Sequence, residues 1–136
     1  MPDLVVNVSR VIKAPIDKVF DAWTTPEQMK QWYSPEGMTT PAASSDNHPG
    51  GTYSVTMKMG DQVFDMTGTY LEFDRPNKLA YTWNHDDSVV TVTFKAIDDS
   101  NTEVNLHHTG FADEGSRRQH NEGWVGTLNK LTKFLL

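Results

Sequence analysis

From Gly50 to Phe111 the chain repeats with period two, and this alternation constrains the fold more than any other feature. "GGTYSVTMKM" puts Tyr53, Val55, Met57 and Met59 on one face and Thr52, Ser54, Thr56 and Lys58 on the other. After a tight Gly60-Asp61 turn, "QVFDMTGTYLEF" groups Phe64, Met66, Gly68 and Tyr70. "DRPN" reverses the chain, and "KLAYTW" groups Leu79, Tyr81 and Trp83. "HDD" is read as the next turn, followed by Val90, Val92, Phe94 and Ala96 on one face. "DDSN" leads into "TEVNLHHTGF", which points Val104, Leu106 and His108 inward and His107 outward. Hairpins in series give an antiparallel meander with one apolar face, and that face must be covered.

The cover comes from the two ends, where the period changes. "LVVNVSRVI" (Leu4–Ile12) reads as a strand, and a weak strand is expected over Thr39–Ser45. Between them Ile16, Val19, Phe20 and Trp23 share one helical face, with Pro15 in its first turn and Asp17 at its positive end. Pro26 stops this helix and opens a second, with Thr25 as N-cap and Gln28 as capping-box partner. Met29, Trp32 and Tyr33 share a face there, and Pro35 and Gly37 end the helix. The corner lets two indoles be aimed separately: Trp23 into the core, Trp32 towards the mouth of any cavity.

From about Asp113 a stripe of His120, Trp124, Leu128, Leu131 and Leu135 marks a third helix. At about 20 residues it would be about 30 Å long, enough to cover the sheet. Gly123 and Gly126 interrupt it, each costing roughly 1 kcal/mol against alanine, so each needs a reason such as close backbone approach or space beside the stripe. The expected fold is α+β: a curved antiparallel sheet of about six to seven strands wrapped around a long C-terminal helix, with two short helices after the first strand.

Length and charge bound the function. With 136 residues the chain is expected to be one domain, 1–136. A net charge of -6 argues against nucleic-acid binding and against docking on anionic membranes. No run approaches a membrane span, and the first residues lack a signal pattern. Without cysteine there is no thiolate chemistry and no disulfide, which is compatible with a cytoplasmic setting. A monomer or a homodimer is expected.

"APIDKVFDAWTTPEQMKQWYSPEGM", "GTYLEFDRPNKLAYTW", "TEVNLHHTGF" and "GWVGTLNKL", together with their order, resemble the activator of heat-shock-protein-90 ATPase homologue family. That family belongs to the START and birch-pollen-allergen superfamily, whose architecture is the helix-grip fold. The resemblance runs from about Val8 to Leu135. It implies a cavity between the long helix and the sheet that holds a hydrophobic small molecule. The family's name also implies a chaperone partner and a stress-response role, but only weakly, because in the eukaryotic cochaperone the domain follows a separate chaperone-binding domain for which 136 residues are expected to leave no room.

The inward aromatic and methionine residues supply the candidate lining. The expected ligand contacts are Trp32, Met57, Phe64, Met66, Trp83, Phe94, His108, His120, Trp124 and Leu128, for pockets are mostly apolar with a few polar groups. His108, within the His-Thr-Gly-Phe stretch that matches the family motif, is a weak candidate acid or base for a polyketide cyclase or dehydratase type of reaction. Asp65 and Glu72 lack a placed partner, and no nucleophile or phosphate-binding motif occurs. His108 with His120 lacks a third ligand, so no metal and no cofactor is expected. His48, His85, Asp86 and Asp87 are expected to be solvated.

Overall fold

The computed structural model describes residues 4–136, and residues 85–87 by their backbone alone. Seven strands and three helices follow the order β1 (Val6–Ile12), α1 (Ile16–Thr24), α2 (Pro26–Trp32), β2 (Thr39–Ser45), β3 (Thr52–Met59), β4 (Gln62–Asp74), β5 (Lys78–Trp83), β6 (His85–Asp98), β7 (Asn101–Thr109) and α3 (Glu114–Phe134). The strands form one antiparallel sheet in the order β1-β7-β6-β5-β4-β3-β2. β2 to β7 are neighbours in chain order, and β1 adds to the far edge beside β7. α1 and α2 therefore carry the chain from one edge of the sheet to the other. α3 packs on the concave face and contacts β1 and α2. This is the α+β helix-grip architecture.

Alternation becomes burial along most strands. Tyr53, Val55, Met57, Val90, Val92, Phe94, Val104, Leu106 and His108 are all buried. β4 is the exception. Its outer half, paired with β3 near the hairpin tip, leaves Phe64 43% exposed although its parity is inward. Phe64 there borders the open space between the sheet and α3 rather than packed core. A register shift between Tyr70 and Glu72 lets β4 change partner from β3 to β5 and leaves Glu72 at the surface, paired with Lys78 at 3.2 Å.

Several local expectations are corrected. β1 begins at Val6 rather than Leu4. Pro15 stands at the N-cap of α1 rather than in its first turn. Thr25 does occupy the N-cap of α2, but its side chain caps nothing, so the capping box with Gln28 does not form. Its carbonyl accepts the backbone N–H groups of Gln28 and Met29, both at 2.9 Å, which closes the turn without the hydroxyl. The turn after β5 is tighter than "HDD". Asn84 alone reverses the chain at φ 66°, and Trp83 already pairs with His85. Asparagine tolerates this left-handed conformation, and Thr67 N–H donates to its side chain at 3.0 Å. The side chains of His85, Asp86 and Asp87, expected to be solvated, lie outside the described residues.

The two glycines of α3 have different reasons. A Cβ on Gly126 would stand 2.9 Å from the backbone nitrogen of Glu36, so the segment after α2 passes directly over the helix there. At Gly123 the nearest atom would be Pro35 Cγ at 3.5 Å, an ordinary contact. Gly126 is a close crossing, whereas Gly123 borders open space.

Candidate functional site

A cavity of about 320 Å³ lies between α3, the hairpin end of β3 and β4 with the last residue of β5, and the segment following α2. The sheet contributes Met57, Phe64, Met66 and Trp83, and α3 contributes Gln119, His120, Gly123, Trp124 and Thr127. Tyr33, Pro35 and Met38 close the third side. The helical positions 119, 120, 123, 124 and 127 share one face, adjoining the stripe that packs into the core. The volume is near the lower end for small-molecule pockets, about 300–1,000 Å³.

Position on the wall follows from local geometry. Tyr33 ends α2 with φ -81° and ψ 64°, outside the helical region, which turns its ring away from the helix axis. Its ring lies nearly parallel to that of Trp83, with centroids 6.5 Å apart. The loop behind it is fastened by Lys130, whose Nζ donates to Ser34 Oγ at 2.7 Å and to Met38 O at 3.0 Å. Partial burial lowers the pKa of this lysine, against the pull of Glu36.

No Asp, Glu, Lys or Arg is among these wall residues. The polar atoms on the wall are mostly committed to the protein. His120 Nδ1–H donates to Ser116 O at 2.8 Å, and Thr127 donates to Gly123 O at 2.8 Å. Trp124 Nε1–H donates to His108 Nδ1 at 3.0 Å. Trp83 differs: it is 8% exposed, and its Nε1–H is the buried side-chain donor with no partner among the described residues.

Behind the wall is a cluster of tyrosines. Tyr33 and Tyr81 share a hydrogen bond of 2.6 Å, and Trp23 Nε1–H donates to Tyr81 Oη at 3.2 Å. Tyr53 donates to Thr82 O at 2.6 Å, which requires Gly68, because a Cβ there would strike both Thr82 O and the Tyr53 ring. Burial pushes the phenol pKa of Tyr33, Tyr53, Tyr70 and Tyr81 upward. All four have pKa values raised above the ordinary range, so at neutral pH they act as hydrogen-bonding groups and not as bases.

His108 is fully buried behind Trp124. An indole N–H only donates, so His108 Nδ1 is the acceptor. Ser88 Oγ lies 2.8 Å from Nε2 and donates its own hydrogen to Thr109 O at 3.1 Å. Nε2 therefore carries the ring hydrogen. This arrangement sets the orientation of Trp124, and places the imidazole one layer behind the cavity surface. His120 stands 5.5 Å from His108, ring to ring, with its plane perpendicular.

Of the expected contact residues, Met57, Phe64, Met66, Trp83, His120 and Trp124 converge on the cavity. Trp32, Phe94, His108 and Leu128 are off its wall. Trp32 is fully buried, donates to Ala22 O at 3.0 Å and packs on Trp23 with centroids 4.8 Å apart. Phe94 packs between Phe20 and Trp23, at 5.4 and 5.7 Å. Leu128 lies in the core below. Six wall residues were not in the expected set: Tyr33, Pro35, Met38, Gln119, Gly123 and Thr127. The glycine in mid-helix and the helical spacing from Trp124 were the signals available for Gly123 and Thr127. Nothing in the loop sequence marks Pro35 or Met38.

Fold and cavity together define a helix-grip protein with an internal site whose described lining is largely apolar and without charged side chains. Residues 13–135 match the family model described as Activator of Hsp90 ATPase homolog 1-like protein, and the chain belongs to that family. No curated protein matches the sequence significantly. Among solved structures, a protein from Chromobacterium violaceum superposes with a TM-score of 0.87 at 23% identity, covering 96% of each chain. An AHSA1 protein from Silicibacter pomeroyi gives 0.82 at 23%, covering 95% of each. A protein from Cytophaga hutchinsonii gives 0.76 at 27%, covering 96% of this chain and 91% of that one. Among the described residues no helix is long and apolar enough to cross a membrane.

Proposed function

We propose that this chain binds a small hydrophobic or amphipathic molecule in the cavity between α3 and the sheet, with residues 1–136 acting as one binding domain. The supporting observation is the cavity itself: about 320 Å³ of space lined by methionine and aromatic side chains in an otherwise close-packed interior. Methionines Met38, Met57 and Met66 suit a site that adapts its shape, because their side chains repack at low cost. Among the described residues the wall offers no acid–base pair in register, which favours binding over a cyclase type of reaction. Native mass spectrometry of the purified protein tests this, compared with Gly123→Leu, which fills the space beside α3. A bound mass in the parent that is lost in the filled variant supports the reading. Identical spectra, together with no binding of added apolar compounds to the parent, count against it.

The family description favours a second reading, stimulation of a chaperone ATPase. That activity would run through surface residues. It should therefore survive Gly123→Leu, whereas small-molecule binding should not.

A further inference from the structure

We infer that His120 is the polar contact of this cavity and that its Nε2 accepts the hydrogen of a ligand hydroxyl, which makes the ligand an alcohol or phenol on a largely apolar frame. The inference rests on the binding reading above and specifies its chemistry.

The hydrogen positions follow from the bonding. His120 Nδ1 lies 2.8 Å from Ser116 O, and a carbonyl oxygen only accepts. Nδ1 therefore carries the ring hydrogen, and Nε2 of the neutral ring presents a lone pair. Nε2 has no partner among the described residues. It is not enclosed either, since the enclosed unpaired side-chain atom among those residues is Trp83 Nε1. The imidazole lines the cavity. Its bond to Ser116 and its ring contacts with Phe111 and His108, 5.0 and 5.5 Å between centroids, take up its other sides. The edge that carries Nε2 is left to the cavity and its mouth.

The helix makes room at that edge. A helical side chain leans towards the N-terminus and covers the turn before its own Cα. The side chain that would cover Gln119 and His120 belongs to position 123, and that position is glycine. A Cβ there would meet nothing nearer than Pro35 Cγ at 3.5 Å. Space thus begins beside the imidazole, which gives Gly123 a role that its cost to the helix calls for.

The same contacts hold the acceptor in place before a ligand arrives, so binding orders little that was free. The other polar groups of the helical wall are less suited. Gln119 is exposed and exchanges its bonds with water, and Thr127 already gives its hydrogen to Gly123 O. A single fixed acceptor matches a hydroxyl, which brings one hydrogen, better than an amide or amine group that brings two or three. The rest of the ligand meets Met57, Phe64, Met66 and Trp124, side chains that suit an apolar frame.

Three naphthalenes test this on the intact protein. Naphthol donates a hydrogen, methylnaphthalene has nearly its shape without a donor, and methoxynaphthalene keeps the oxygen but only accepts. A buffer at about pH 7.5 keeps free imidazole largely neutral and naphthol un-ionised. Affinities come from calorimetry, and the histidine ring nitrogens are followed by nitrogen-15 NMR. His120→Phe keeps an aromatic ring and removes the acceptor. The ratio of naphthol to methylnaphthalene affinity should be about threefold to tenfold higher in the parent than in this variant, the range of one net hydrogen bond. Naphthol should also shift the His120 Nε2 signal of the parent upfield and leave His108 Nδ1 in place, whereas the other two compounds should leave both. If the variant does not fold, the parent's spectra decide the matter. An equal ratio in parent and variant, or naphthol binding that leaves the His120 Nε2 signal unmoved, overturns the role of His120. The binding reading would then stand, provided that the methyl signals of Met57 and Met66 still respond. Failure of all three compounds to enter the cavity overturns both.

Discussion

Trp83 and Trp124 pack against each other in the cavity wall, with centroids 5.1 Å apart, yet only one of them has its indole N–H paired. Trp124 is held by His108, whose tautomer is in turn set by Ser88. The wall thus pairs one fixed indole with one whose donor is unspent. The predictions below follow from that division between supporting and surface-lining groups.

Truncating the support should cost stability. His108→Ala takes the imidazole from between Trp124 Nε1–H and the Ser88 hydroxyl and leaves a cavity in the core. A loss of about 2–5 kcal/mol is expected by chemical denaturation. An unchanged midpoint would mean that the Trp124–His108–Ser88 chain does not hold the wall.

Trp32→Phe should behave in the same way. It loses the bond to Ala22 O and part of the packing on Trp23. Stability should fall by about 1–3 kcal/mol, while affinity for a neutral naphthalene stays within twofold, roughly the scatter of such measurements. A tenfold loss of affinity with stability intact would put Trp32 in contact with the ligand.

The glycines of α3 should separate cleanly. Gly123→Ala adds a methyl at ordinary contact distance from Pro35 and should raise stability by about 0.5–1 kcal/mol through helix propensity. Gly126→Ala meets the Glu36 backbone at 2.9 Å and should lower the melting temperature. If both variants are stabilised, the segment after α2 does not cross α3 as closely as described.

Alkaline titration reads the tyrosine cluster. All four phenols have a folded pKa above the ordinary 10.0. The unfolded chain therefore loses these protons first. Their contribution to stability is complete below about pH 10 and declines as pH rises beyond it. The ultraviolet phenolate band should stay absent in the native protein past pH 10, then appear for all tyrosines together as the fold is lost. A phenolate band rising near pH 10 while the circular dichroism remains native would contradict the buried cluster.

How far the sequence reveals this site depends on which geometry is local. Strand alternation and the α3 stripe are local, and both led to the correct faces: Val104, Leu106 and His108 are buried, while His107 is exposed and bonded to Asn7. Position along a face is not local. Phe94 and Trp83 have the same inward parity, but the sheet's twist sets Phe94 under α1 and Trp83 against the cavity. Phe64 has that parity too, yet is half open because it borders the space between the sheet and α3. The orientation of α2 is the clearest case. A seven-residue helix has too few turns for its apolar face to be read, and its contact with Trp23 turns Trp32 inward. Tyr33, one residue later and outside the helix, takes the cavity position instead.

The central claim is that a small apolar molecule occupies the space beside α3. Methionine methyl NMR tests it most directly, because Met38, Met57 and Met66 line the cavity whereas Met29 is packed in the core away from it. Titration with acetylnaphthalene should move the three wall methyls together, saturably, and leave Met29 unchanged. If the wall methyls stay in place up to the compound's solubility limit, the cavity does not bind such molecules and the account fails.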